Sequence, residues 1–128
     1  MDGGATSMQG AFDGQAMVRE VIPDLDDHLP AYTVTSEEVD HELAVLFLEQ
    51  LDQNLRDLYA ALEPPKPEAL KRVAHSLKGV GGTLGAPEVS VLAAELELAA
   101  KAGNPARCRA LIDVLAQWAA AFRSAHNI

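Results

Sequence analysis

Cysteine is almost missing from this sequence: Cys108 is the single thiol among 128 residues. An internal disulfide cannot form, nothing suggests a bridged secreted scaffold, and a reducing cytoplasm is the expected setting. No run approaches the roughly 20 apolar residues of a membrane span, and the opening MDGGATSMQG lacks the basic and apolar regions of a signal peptide. Basic residues are scarce in the first half. Residues 1–63 carry 2 of them against 14 acidic ones, whereas residues 64–128 carry 8 basic and 5 acidic, and the whole is −9. That balance argues against a general nucleic-acid binder, which needs a broad basic footprint to displace counterions. Aromatics are also few, at 5%, and alanine is abundant, which leans toward helix.

What is present is helical periodicity. Hydrophobic content of 48% with 23% charged residues suits a globular chain, and the length suits one domain with a modest core. Residues 1–20 hold four of the nine glycines and little periodicity, so they read as a flexible tail. Within 21–34, interrupted by Pro23 and Pro30, a short helix is expected near Asp24–Leu29. Thr35 and Glu38 form a capping-box pattern, and Val39, Leu43, Leu46, Phe47, Gln50, Leu51, Leu55, Leu58 and Leu62 follow helical spacing, predicting a helix over 36–62. Its acidic first turns suit the helix dipole. Pro64, Pro65 and Pro67 end it, and Pro67 suits the first position of the next helix, whose inner stripe is Leu70, Val73, Ala74, Leu77, Gly81 and Leu84. A third helix is expected over 87–102, with Val89, Leu92, Ala93, Leu96 and Ala100 inward. Gly103-Asn104-Pro105 reads as helix stop, N-cap and first turn, and the last helix, 105–124, turns Cys108, Leu111, Leu115, Trp118 and Phe122 inward. The economical solution is all-α: an antiparallel four-helix bundle over residues 21–126, with a short N-terminal helix or extended segment.

The second long helix carries the unusual chemistry. His75 points almost opposite its apolar stripe and so stands on the solvent face. Gly79 and Gly82, at i+4 and i+7, lie on the same face, although each interior glycine costs roughly 0.5–1 kcal/mol relative to alanine. They leave a bare backbone shelf beside the imidazole. Lys71, Arg72 and Lys78 are its helical neighbours at i−4, i−3 and i+3. Surrounding cations favour the neutral, nucleophilic imidazole and would meet an arriving phosphoryl group. A nucleophile, anion stabilisers and open access are what a phosphohistidine site needs. The bland reading is a solvated histidine among lysines, with glycines that mark tight packing or a helix end.

His75-Ser76-Leu77-Lys78-Gly79, followed by Leu84-Gly85, resembles the signature of histidine phosphotransfer (HPt) domains of two-component phosphorelays. The likeness continues through Val89–Glu97 and Ala99–Gly103 and covers roughly residues 36–122. It implies a carrier without a nucleotide site: His75 accepts a phosphoryl group from a receiver-domain aspartate and passes it to another receiver, and Lys78 stabilises it. It further implies that Gly79 lets the receiver approach; Lys71, Arg72, Ser76 and Gly82, around the histidine on the same helix, are expected on the partner-binding surface with it. The sequence is also similar to the phosphoacceptor domain of chemotaxis histidine kinases, where a glutamate 22 positions after the histidine orients its far nitrogen. That position here is Glu97, which otherwise reads as an ordinary charged residue at a helix edge. Ala94 departs from the chemotaxis pattern, where histidine is common. Val80 and Gly81 depart from many HPt domains and bear on partner specificity.

Other constellations carry less. His28, His41 and His126 lack metal-ligand spacing, the first two reading as solvated and the third as part of a fraying terminus. Cys108 reads as a buried structural thiol, no Walker glycine loop is present, and adjacent Ser76 and His75 diverge on a helix and make no catalytic pair. The expectation is a monomeric cytoplasmic carrier with no cofactor of its own, magnesium coming from the receiver, and a hybrid sensor histidine kinase as a further partner. The alternatives are a chemotaxis-type phosphoacceptor domain served by an ATP-binding kinase domain, and a non-catalytic helical adaptor.

Overall fold

A computed structural model describes residues 12–32, 40–81 and 85–128. Among them are six α-helices and no strand: α1 (Gly14–Arg19), α2 (Leu25–His28) with a 3-10 turn at Leu29–Ala31, α3 (His41–Ala60), α4 (Pro67–Gly81), α5 (Pro87–Lys101) and α6 (Pro105–Ala125). The four long helices form a closed ring in which α3 packs on α4 and α6, and α5 packs on the same two. This is the expected all-α bundle. No helix among the described residues is long and apolar enough to cross a membrane.

Local chemistry explains the helix ends. Asp40 caps α3, its carboxylate accepting from the Leu43 N–H at 2.8 Å. The helix therefore begins at 41, not 36, and the Thr35–Glu38 capping box lies outside the described residues. Gly103, at φ +68°, closes α5, and Asn104 caps α6 through the Arg107 N–H, with Pro105 in its first turn.

The buried face of α3 is rotated from the expected stripe. Ala44, Phe47, Leu48, Leu51 and Leu58 are buried, whereas Leu43 and Leu46 are 45% and 55% exposed and Gln50 is exposed. Apolar residues occupy two neighbouring faces of this helix, and periodicity averages them; packing against α4 and α6 selects one. Val39 lies outside the described residues. In α4, Leu70, Ala74, Leu77 and Gly81 are buried and Val73 half-buried, while Leu84 lies outside. The expected stripes of α5 and α6 are buried throughout. α5 also buries Val91, Ser90 and Glu88, because α1 and α2 cover it as well.

That cover corrects the reading of residues 1–20 as a tail. Residues 1–11 lie outside the described set, but Asp13 caps α1 by accepting from the Ala16 N–H, and Val18 is fully buried. Gly14 seats against Trp118 and the Glu88 carboxylate so closely that a methyl there would overlap both. The Trp118 indole N–H donates to Glu88 at 3.0 Å, both side chains being buried. Phe12, Phe47, Trp118 and Phe122 pack in edge-on and stacked pairs around this bond. The packed helical unit thus extends back to Phe12.

Candidate functional site

The site lies where α4 and α5 touch. Gly81 permits the contact: a Cβ there would come within 2.7 Å of the Ser90 backbone nitrogen and 2.8 Å of the Ala86 carbonyl. Backbones this close bring the outward edges of the two helices within side-chain reach. His75 on α4 is 70% exposed, and its Nδ1 lies 3.4 Å from Glu97 Oε2 on α5. The other carboxylate oxygen accepts from Lys78 Nζ at 2.8 Å. Glu97 therefore bridges the imidazole and the ammonium. The hydrogen bond to Lys78 holds the Glu97 carboxyl below the usual carboxylate range, with His75 a smaller contributor, and the same bond pushes the Lys78 ammonium above the usual lysine range.

This geometry revises the electrostatics expected from sequence. The cations at i−4 and i+3 do not face His75 as bare charges: Lys71 pairs with Glu68 at 3.0 Å and Lys78 with Glu97. The charged group nearest the imidazole is a carboxylate. An open groove of about 630 Å³ runs beside His75, lined from α4 by Glu68, Lys71, Arg72 and Ser76 and from α5 by Glu97, Leu98 and Lys101. Arg72 and Ser76 are exposed. Gly79 is exposed too, and a methyl added there would meet nothing within 4 Å among the described residues, so packing against them gives no reason for a glycine. Gly82 lies outside the described residues.

Three groove residues escape the periodicity argument: Glu68, the partner of Lys71, and on α5 Leu98 and Lys101. Leu98 is 58% exposed, and Lys101 is exposed at the end of α5. Their signal in the sequence is spacing from Glu97, since Lys101 is its i+4 neighbour. That signal gains meaning only once Glu97 is known to face His75.

The remaining titratable groups stand apart. His28 pairs with Asp24 at 3.0 Å, so it is not merely solvated. His126 stacks on Phe122 and bonds its carbonyl, so the C-terminus is packed there and not fraying. His41 is exposed. Cys108 is buried, and burial pushes its thiol up. No group of three His, Cys, Asp or Glu side chains suited to a metal occurs among the described residues.

The family model of the Hpt domain matches residues 42–127, which span α3 to the end of α6 and include every described groove residue. Comparison with curated proteins and with solved structures gives no match.

Proposed function

Because the chain belongs to the Hpt domain family, a histidine phosphotransfer role in two-component signalling is its general function, and we propose that His75 is the phosphoacceptor, exchanging its phosphoryl group with receiver-domain aspartates. One observation carries this reading: an imidazole open to solvent whose Nδ1 faces a carboxylate. An ionised carboxylate only accepts, so the contact favours a proton on Nδ1 and leaves the Nε2 lone pair free. Nε2 attacks the phosphorus of the aspartyl phosphate, the P–N bond forms, the P–O bond to the aspartate breaks, and the aspartate leaves as carboxylate. The ring keeps its Nδ1 proton and gains positive charge, which Glu97 offsets. Lys78 has three N–H donors and spends one on Glu97; the others serve the phosphoryl oxygens. Magnesium belongs to the receiver, and positioning with metal charge supplies most of the rate. Gly79 leaves the approach unobstructed, Arg72 and Ser76 lie on the partner-facing side, and the protein acts as a monomeric carrier, not an enzyme.

The bridging position of Glu97 also favours a second reading, a chemotaxis-type phosphoacceptor domain whose donor is ATP on a separate kinase domain. Incubation with a phosphorylated receiver, and in parallel with such a kinase domain and ATP, separates the two. Acid-labile, alkali-stable label from the receiver, lost in His75→Gln, is the expected result. Label that survives the substitution would falsify the assignment of His75, and label from the kinase alone would favour the second reading.

A further inference from the structure

Four cations surround the groove, but they are not equivalent. Lys71 is neutralised by Glu68 and Lys78 by Glu97. Arg72 and Lys101 are exposed, and neither has a carboxylate partner among the described residues. They stand on opposite walls, Arg72 on α4 and Lys101 on α5. Because the helices run antiparallel, both lie toward the same end of the groove. Arg72 is one turn from His75, and Lys101 is about one turn beyond Glu97. Two positive charges without an ion-pair partner among the described residues therefore straddle one end of the groove that His75 lines, in a protein of net charge −9.

From this pairing we infer that Lys101, together with Arg72, forms an electrostatic clamp that steers an acidic face of the partner receiver onto the groove and sets its orientation over His75. This rests on the reading of His75 above and extends it to α5. The charges act on encounter, because they lie a turn away from the reacting nitrogen. Local potentials of one sign raise association rates and impose salt dependence, while the net negative charge of the whole chain disfavours unspecific contact with other anionic surfaces. The neutralised pairs contribute little to that field. Lys101 also sits at the negative end of the α5 dipole, so a purely structural role is the competing explanation.

The test uses a receiver domain phosphorylated with acetyl phosphate, chosen because it labels the wild-type protein, with transfer followed against receiver concentration and salt. Arg72→Gln and Lys101→Gln are each expected to raise KM about threefold, and the double substitution about tenfold, with the loss falling on KM more than on the maximal rate. The double variant should also show a shallower salt dependence. Arg72→Lys and Lys101→Arg, which keep the charge, should restore most of the affinity. KM and salt dependence unchanged in the double variant, while His75→Gln abolishes labelling, would overturn the clamp and leave the phosphoacceptor intact. A fall in maximal rate at unchanged KM would also overturn it, as would a KM change that tracks loss of melting temperature. Label retained in His75→Gln would overturn the reading of His75, and the clamp with it.

Discussion

A carboxylate that holds an imidazole and an ammonium at once decides the behaviour of single residues here. Glu97 titrates below the usual carboxylate range in the folded protein because of Lys78. Its contribution to stability is therefore present above the ordinary carboxylate range and is lost as pH falls through the depressed folded value. Lys78→Ala is expected to move the Glu97 carboxyl midpoint upward, toward an unperturbed glutamate, as read by carbon NMR of the side chain; an unmoved midpoint would assign the depression to another group. The same substitution is expected to slow transfer on the order of 10²-fold, through loss of phosphoryl stabilisation. Because Lys78 is partly exposed, it should change unfolding free energy by no more than about 0.5 kcal/mol. A melt that collapses would place Lys78 among the structural residues instead.

At the scale of the helix, the two glycines of α4 separate packing from access. Gly81 lies against the backbone of α5, so Gly81→Ala forces the helices apart and should destabilise by roughly 1–3 kcal/mol in chemical denaturation. No described residue lies within 4 Å of a Cβ placed on Gly79, so Gly79→Ala should be neutral or stabilising by up to about 1 kcal/mol, through helix propensity alone. If the bare shelf admits a partner, a larger residue such as Gly79→Leu should keep the protein folded and slow transfer from a receiver. Equal rates for Gly79→Leu and wild type would remove Gly79 from the docking surface. The α4 sequence places both glycines in the helix and puts Gly81 on the inner stripe. It does not tell what lies opposite each one, because that depends on how closely α5 approaches.

The whole molecule depends on a segment that looks dispensable. Phe12 and Val18 pack into the core, and Gly14 lies on the buried Trp118–Glu88 bond. Deleting residues 1–20 should lower stability by at least about 2 kcal/mol, since burial of one large apolar side chain contributes roughly 1.5–3 kcal/mol, and should shift Trp118 fluorescence toward that of a solvated indole. An unchanged melting curve would return this segment to the status of a tail. Trp118→Phe, which strands the Glu88 carboxylate without its donor, should cost about 1–3 kcal/mol beyond the lost packing. The net charge of −9 also belongs to this scale: the acidic excess lies in residues 1–63, and among the described groove residues Arg72 and Lys101 are the cations without a carboxylate partner.

The sequence by itself determined the four long helices, most of their boundaries, the exposed histidine and its glycine neighbour, because periodicity, prolines and caps act within a few residues. It also located Glu97 by resemblance. Only the tertiary structure decided which of two apolar faces α3 buries, that Lys71 and Lys78 are already paired, that Phe12, Gly14 and Val18 pack into the core, and that Leu98 and Lys101 border the site. Each of those turns on a contact between elements far apart in the chain. Gly81 lets α5 come close enough to α4 for Glu97 to reach His75, and a helix read alone carries no record of the neighbour that will face it.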